Sequence, residues 1–327
     1  MCLNTSAGKI ACLIFIFYLT ISCNPEKSIN EPFKDGSGLM AISGMDKIND
    51  STYLAVYDLK SFEEGNRMGV IEVSEDEGLR IYPVTVTNWQ HEDGKGSDLE
   101  SICNLPNRGN EFLIAESGKW DGKYGRMFHI QLNYKSGNYR VKVMGVFDIP
   151  EFDAKGPEDS AGDEIEGLTC LLTDTNEYLV LFGERGGSEA YKEGLIRWAR
   201  ADLDTYDLMW NENGMSGKRV NAPGSWKNSN LNRDISGLYS DADNKLWAVA
   251  SEELGEMGPF NSIVYQIGEV RNTMEDPILV RDTLTVHKMI TGFKAEGISA
   301  GTGLLPGSVF AIGTEDELLG GSWRVLN

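Results

Sequence analysis

The sequence predicts an all-β fold, a single β-propeller of five four-stranded blades. The first observation is a short phrase that recurs five times, at intervals of 57 to 70 residues. Repeats of this length that are built of strands indicate radial copies of one small sheet. The second observation is that long helical periodicity is absent and that glycine is abundant, with 37 residues, as turn-rich β structure requires. The five copies are Ala41–Met45, Asp98–Ile102, Glu164–Leu168, Asp234–Leu238 and Lys294–Ile298.

Each copy of the phrase begins the first strand of a blade, and a second apolar strand follows it after a turn. In the second copy, the pattern predicts four strands, over Glu100–Leu105, Glu111–Glu116, Arg126–Leu132 and Tyr139–Ile149. Copies one, three and four follow the same plan. The predicted second strands of the other copies are Tyr53–Val56, Tyr178–Leu181, Leu246–Val249 and Val309–Ile312.

The fifth copy stops after its third strand, Ser322–Leu326, and leaves no residues for a fourth. We expect residues 31–40, ahead of the first repeat, to supply the missing strand. Pairing the N- and C-terminal segments in this way would close the ring and remove two exposed sheet edges. A sixth, degenerate blade within residues 199–233 is the alternative, because that spacer is irregular.

The N-terminus resembles the leader of a bacterial lipoprotein. Lys9 precedes an apolar run over Ile10–Ser22, which is too short to span a bilayer comfortably. The run leads into Leu19–Cys23, a segment that resembles a lipobox, although Thr20 stands where leucine is usual. A plain secretory signal, or an uncleaved anchor, is the alternative.

This resemblance divides the chain into a signal peptide over residues 1–22, a polar tether over residues 23–34 and a propeller domain over residues 35–327. It implies that Cys23 is lipidated and becomes the new N-terminus. We therefore expect a monomeric domain held at the cell envelope by a lipid anchor, either in the periplasm or exposed at the surface.

The charge balance bears on the partners of the chain. It carries 30 basic and 50 acidic residues, a net charge of −20. Such a surface repels phosphate backbones, so nucleic acid is not expected as a partner. It favours divalent cations or cationic ligands, although a merely solubilising surface also explains it.

Cys103 and Cys170 are the two cysteines that remain within the predicted propeller domain. Neither belongs to a pair with metal-ligand spacing, and no disulfide framework is present. Both lie in apolar inner strands, so we expect buried free thiols. A bridge between them would need Cα atoms within about 7 Å, which inner strands of adjacent blades seldom achieve.

The propeller topology gathers acidic residues at one end of the central channel. The first strand of each blade lines the channel, and the second strand runs antiparallel beside it. The start of the first strand and the end of the second strand therefore lie on the same face of the propeller. Glu100, Glu166 and Glu296 stand at first-strand starts, with Ser43 and Ser236 at the equivalent positions. We expect the three glutamates to form part of a ligand or metal site on this face.

A second set of acids ends the second strands, one in each blade. With Arg185, these acids form the predicted ligand-binding set. Arg185 and Arg233 are also expected to neutralise the ring of carboxylates. The acids are Asp58, Glu116, Glu184, Glu252 and Glu315.

Clustered carboxylates repel one another, which raises their pKa values unless a cation compensates. Ca²⁺ accepts six to eight irregularly placed oxygen ligands, so it is the cofactor that this ring would take. The alternative is a wet channel in which the glutamates cap strand starts.

Other chemistries are disfavoured by the motifs. The chain has three histidines and none forms a His-Glu-x-x-His pattern. There is no Gly-x-Ser-x-Gly elbow, no phosphate-binding loop and no dinucleotide fingerprint. His129 lies in a predicted third strand, where a packing role is expected.

The recurring Asp-x-Glu-Gly-Ile phrase, the returning strand and the acid at its end resemble the SdiA-regulated and phytase-like esterase families of propeller proteins. The resemblance covers residues 40–327. It implies an exported propeller whose channel acids bind Ca²⁺ or another metal, with activity on esters or phosphoesters. Two first strands of this chain carry serine in place of the acid. By position, the metal-facing residues would be Glu100, Glu166 and Glu296, with Glu116 and Glu184 in support.

Two function classes follow. The first is a non-catalytic propeller that recognises a small molecule, glycan or peptide on its acidic face. The second is a metal-dependent hydrolase, in which the ion polarises an ester or phosphoester and a channel glutamate acts as general base.

Overall fold

The fold is all-β, as the sequence predicts. Strands dominate the part of the chain that the computed structural model describes, where helical structure is limited to α1 (Glu212–Ser216) and a 3-10 turn at Glu317–Leu319. The predicted leader, the lipidated Cys23, the tether and the closing strand over residues 31–40 lie outside the described residues. The described residues are 41–60, 63, 65–75, 78–89, 94–118, 125–150, 152, 163–189, 191–226, 232–252 and 254–327.

The first two repeats are antiparallel meanders of four strands each. Their outermost strands are paired with each other in parallel, with Val84 opposite Tyr139, so the two meanders form one continuous sheet. Repeat one contains β1 (Gly44–Asn49), β2 (Thr52–Val56), β3 (Met68–Ser74) and β4 (Gly78–Val86). Repeat two contains β5 (Leu99–Asn104), β6 (Glu111–Glu116), β7 (Arg126–Lys135) and β8 (Asn138–Asp148).

The remaining repeats vary at their outer edges. Repeat three contains β9 (Ile165–Leu172), β10 (Tyr178–Glu184), β11 (Gly194–Asp202), β12 (Asp207–Met209) and β13 (Lys218–Val220). Repeat four contains β14 (Asn232–Ser240), β15 (Lys245–Glu252), β16 (Asn261–Val270), β17 (Ile278–Val280) and β18 (Val286–Thr291). Repeat five contains β19 (Ala295–Ala300), β20 (Phe310–Thr314) and β21 (Trp323–Leu326).

The spacer considered for a sixth blade belongs to repeat three. Its short strands β12 and β13 both pair with β11, and α1 lies between them. Asn211 caps this helix by accepting a hydrogen bond from the backbone N–H of Gly214. The described part of the spacer therefore extends an existing sheet.

The inner strands of the five repeats contact one another in cyclic order, β1 to β5, β9, β14, β19 and back to β1. One buried apolar cluster lies between each pair of neighbouring repeats, so burial of apolar surface holds the ring together on every side. The clusters combine Leu54 with Ile102, Leu113 with Val180, Leu181 with Ile263, Val249 with Ile298, and Ala311 with Tyr53.

Close packing of the inner strands explains the glycine in the recurring phrase. Its glycine allows one inner strand to approach the next, since a Cβ at Gly237 would lie 2.0 Å from the backbone oxygen of Glu296. At Gly44 a Cβ would lie 2.7 Å from the backbone oxygen of Glu100. A side chain at either position would push the inner strands apart and displace the acids that they carry.

Within the described residues, no helix is both long and apolar enough to cross a membrane. Cys103 and Cys170 are buried free thiols, as expected, and both belong to the apolar cluster between repeats two and three.

Candidate functional site

The structure brings Glu100, Glu166 and Glu296 together at one end of the channel. Each is almost fully buried, and each lies at the same place in its inner strand. Burial first, and then the charge of Glu166, raises the pKa of Glu100 well above its ordinary value. Burial also raises the pKa of Glu296, where the charges of Glu315 and Glu166 add to the effect. The three carboxyl groups thus interact electrostatically across three repeats.

Basic side chains lie between these acids. The sequence predicted this role for Arg185 and Arg233 but not for the two lysines described below. Nη1 of Arg233 lies 3.2 Å from Oε1 of Glu166, and Nη1 of Arg185 lies 3.9 Å from the same oxygen. Arg185 also forms an ion pair with Glu164. Together the two arginines lower the pKa of Glu166, although burial raises it by more.

Lys294 is the buried counterion of Glu296. Its Nζ lies 3.0 Å from Oε1 of Glu296, 3.7 Å from Oε2 of Glu315 and 2.5 Å from Oε1 of Glu317. Burial opposes the charge on Lys294, but the surrounding carboxylates outweigh it and raise the pKa of its ammonium group. Lys60 forms an ion pair with Asp98 and lies close enough to Glu100 for its charge to oppose the rise that burial causes in the pKa of that residue.

We call this constellation of three acids and four bases the axial mouth. Its members are Glu100, Glu166, Glu296, Lys60, Arg185, Arg233 and Lys294.

The channel beneath the axial mouth is narrow. Its cavity measures about 10 Å³, close to the space that a single water molecule needs. Ser43 and Ser101 line it beside Glu166 and Glu296, and neither serine hydroxyl has a hydrogen-bond partner among the described residues. The equivalent Ser236 instead exchanges a hydrogen bond with Ser251 over 2.8 Å. The channel itself therefore holds no more than about one water molecule.

In repeats two and three, the acid that ends the second strand is engaged by an arginine of the same repeat. In repeat two, Glu116 accepts hydrogen bonds from the Arg126 guanidinium at 2.6 and 2.9 Å and from the backbone N–H of Ser97 at 2.8 Å. In repeat three, Nε of Arg197 donates a hydrogen bond to Glu184. These two acids hold the second and third strands of their repeats together.

The other members of the predicted ligand-binding set differ in their surroundings. Glu252 accepts a hydrogen bond from the Asn261 amide at 3.2 Å, and Glu315 contacts Lys294. Asp58 is half-buried and close enough for its charge to raise the pKa of Glu100. Of the set, Arg185 therefore belongs to the axial mouth, and Asp58 and Glu315 border it.

The residues as placed do not fit a calcium ion. Among the described residues, no group of three or more Asp, Glu, His or Cys side chains is arranged to hold a metal. The acids of the axial mouth are instead interleaved with cations, which compete with a metal for the carboxylate oxygens. A calcium site stays a prediction from the sequence.

His129 packs as expected. Its Nε2 lies 2.9 Å from Oε2 of Glu111 on the neighbouring strand, and the ring is buried. Burial lowers the pKa of the imidazole more than Glu111 raises it.

Comparisons with known proteins bear on the fold. No family model matches the chain, and no curated protein matches it. Among solved structures, an α-L-arabinanase from Cellvibrio cellulosa complexed with arabinohexaose is 11% identical, with a TM-score of 0.51; the match covers 88% of this chain and 92% of that one.

Two further similar structures are a family-43 glycoside hydrolase described as thermostable and a GH43 β-1,3-galactosidase with galactodeoxynojirimycin. The first is 11% identical, with a TM-score of 0.47 over 90% of this chain and 91% of that one. The second is 11% identical, with a TM-score of 0.43 over 89% and 91%. At such low identity the likeness to the arabinanase shows the fold alone, and this chain is a β-propeller.

Proposed function

We propose that the protein is an envelope lipoprotein whose propeller binds a polar small-molecule ligand at the axial mouth. The observation that carries the proposal is the carboxyl group of Glu296. It is 1% exposed; its Oε1 is paired with the Lys294 ammonium group at 3.0 Å, whereas its Oε2 accepts no hydrogen bond among the described residues. Buried acceptors without donors are costly, and natural proteins keep few of them unless a bound group completes them.

The chemistry of the mouth favours a hydroxyl-rich ligand such as a glycan fragment. A sugar hydroxyl both donates and accepts a hydrogen bond, and the mouth offers carboxylates that accept and basic side chains that donate. The acidic surface of the chain disfavours a highly phosphorylated ligand, since its net charge is −20.

A second candidate is hydrolysis of an ester or phosphoester, which the differing surroundings of the three glutamates favour. Arg185 and Arg233 both contact Glu166 and favour its ionised form. Glu100 has no such arginine contact among the described residues, and its pKa is raised well above the ordinary value. Carboxyl groups whose pKa values are driven apart can serve as acid and base in one site. In this reading Glu100 donates a proton to the leaving group and Glu166 activates water.

The anchoring part of the proposal rests on the leader. The apolar run that ends at Cys23, and the likeness of the recurring phrase to the SdiA-regulated and phytase-like families, support a lipid-anchored propeller of the cell envelope.

Binding is tested with purified protein lacking the leader. A panel of mono- and oligosaccharides is screened by thermal shift, and each compound that raises Tm is titrated by calorimetry. We expect Glu296→Gln to weaken such binding by about tenfold, because it removes one charge-assisted contact in a buried site. Glu269→Gln, at an exposed position of β16, is the matched control and should bind like the wild type. A panel without a single hit, or equal binding by both variants, contradicts the proposal.

Hydrolysis is tested with 4-nitrophenyl esters and 4-nitrophenyl phosphate. If the second candidate is correct, Glu100→Gln removes the alkaline limb of the pH–rate profile and Glu166→Gln removes the acidic limb. If the wild-type protein turns over no substrate faster than the Glu100→Gln, Glu166→Gln double variant does, the hydrolase hypothesis is wrong and the binding propeller remains.

A further inference from the structure

The three acids of the axial mouth differ in the cations that the chain gives them. Nη1 of Arg233 lies 3.2 Å from Glu166, and Nζ of Lys294 lies 3.0 Å from Glu296. No hydrogen bond or ion pair reaches the carboxyl group of Glu100 from the part of the chain that the structure describes. Two of the three acids therefore have a cation of the protein as a partner, and the third does not.

Glu100 is also the most accessible of the three acids. It is 9% exposed, whereas Glu166 and Glu296 are 4% and 1% exposed. Its carboxyl group is buried deeply enough for an unpartnered charge to be costly, yet it is still open to a ligand that arrives from solvent.

The charges around Glu100 favour a cation at this position. After burial, the groups that raise the pKa of its carboxyl group are the carboxylates of Glu166, Asp58 and Glu296. The charge of Lys60 acts in the opposite direction, but its ammonium group is engaged by Asp98. A cation brought by a ligand would therefore meet several carboxyl groups and would compensate for the burial of Glu100.

An ammonium group suits this position better than a metal ion. It carries three N–H donors and no acceptor, whereas Ca²⁺ requires about six to eight oxygen ligands. Glu100 offers two carboxylate oxygens, and Oε2 of Glu296 accepts no hydrogen bond among the described residues. Hydrogen bonds from an ammonium group to a carboxylate are charge-assisted, and they are about twice as strong as those between neutral groups.

We propose that the ligand of the axial mouth is an amino sugar, whose ammonium group binds at Glu100. This inference rests on the proposed binding function and narrows it from a hydroxyl-rich ligand to a cationic one. The net charge of −20 acts in the same direction, because it attracts cationic ligands to the surface of the chain.

Calorimetric titration at pH 7 with three pyranoses that differ only at carbon 6 tests the inference. The probes are 6-amino-6-deoxy-D-glucose, which is cationic, D-glucose, which is neutral, and D-glucuronate, which is anionic. We expect the amino sugar to bind about tenfold more tightly than glucose, which corresponds to about 1.4 kcal/mol. Glucuronate should bind more weakly than glucose, because its carboxylate is repelled at this position.

A variant of Glu100 locates the ammonium group. Glu100→Gln keeps the shape of the side chain and removes its charge, so the ratio of the affinities for the amino sugar and glucose should fall from about ten to about one. Glu269→Gln removes a carboxylate at an exposed position of β16 and should keep the wild-type ratio. Thermal unfolding of both variants verifies that they are folded.

The outcomes separate this inference from the proposed function. If glucose or glucuronate binds as tightly as the amino sugar, or if Glu100→Gln keeps the preference, the amino-sugar assignment is wrong while binding at the axial mouth stands. If none of the three probes binds at millimolar concentration, the assignment is also wrong. The saccharide panel and Glu296→Gln then decide the binding function by themselves.

Discussion

Ser299 donates its hydroxyl to Oδ1 of Asp46 over 2.7 Å and so links the last inner strand to the first, 253 positions apart. The same carboxylate accepts the backbone N–H of Lys47 at 2.7 Å and, through Oδ2, that of Asn104 at 2.6 Å. One buried carboxylate therefore ties three inner strands, β1, β5 and β19, at the place where the chain closes on itself.

We expect Asp46→Ala to lower the free energy of unfolding by about 3 kcal/mol, because it leaves several donors unsatisfied at this junction. Asp243→Ala, in an exposed turn, is the control and should change stability by less than about 0.5 kcal/mol. Urea unfolding measures both. A value for Asp46→Ala as small as that of the control would show that the closure does not depend on this carboxylate.

The buried pair of Arg126 and Glu116 gives a second prediction. Both side chains are at most 2% exposed, so Arg126→Met would strand a buried carboxylate and cost about 3–5 kcal/mol. Adding Glu116→Gln to Arg126→Met should restore part of this loss, because the stranded group is then neutral. The exposed pair of Lys218 and Asp276 supplies the control, since Lys218→Ala should cost under about 1 kcal/mol. If Arg126→Met and Lys218→Ala lower the free energy of unfolding equally, the Arg126–Glu116 pair does not contribute as a buried ion pair.

The axial mouth predicts how stability varies with pH. The pKa values of Glu100, Glu166 and Glu296 are raised by burial above the ordinary value of 4.5. The folded state therefore binds protons more tightly than the unfolded state. The stability linked to these protons is fully present below pH 4.5 and is lost as the pH rises through the folded-state values.

We accordingly expect a higher Tm at pH 5 than at pH 8, and a smaller difference for Glu100→Gln, which cannot ionise at that position. Glu269→Gln should keep the wild-type difference. If Glu100→Gln shows the same difference in Tm between pH 5 and pH 8 as the wild type, Glu100 does not govern the pH dependence of stability.

A calcium titration distinguishes two expectations for the same residues. The resemblance to the phytase-like families predicts that calcium raises Tm, whereas carboxylates already interleaved with Lys294, Arg185 and Arg233 predict no shift. From the observed geometry, we expect no shift at millimolar calcium. A rise in Tm that Glu166→Gln reduces would instead support the calcium site, by the stabilisation that a native-state ligand provides.

Cys103 and Cys170 should be unreactive in the folded protein. Both are buried, and burial raises the pKa of the Cys103 thiol well above its ordinary value, which suppresses the reactive thiolate. Reaction with a chromogenic disulfide reagent should release no thiol equivalents from these two positions until urea is added. Rapid release from the native protein would contradict their burial.

Much of the repeat architecture was predictable because each strand is encoded locally. The second strand of repeat two was predicted at its observed bounds, Glu111–Glu116, and the other strands of that repeat differ by one to three residues at their ends. Alternation, turn residues and the recurring glycine all act over short distances. The convergence of Glu100, Glu166 and Glu296 followed from topology, since equal positions in radial copies must meet at the axis.

The sequence by itself therefore determined the class of fold, the repeat, and which three acids approach the axis. Only the tertiary structure decided what surrounds those acids. Lys60 and Lys294 neutralise the axial mouth, and Arg126 and Arg197 engage two acids predicted to bind ligand. The physical reason is that an ion pair depends on the positions and burial of side chains that separate strands and loops bring together, and no local pattern encodes those distances.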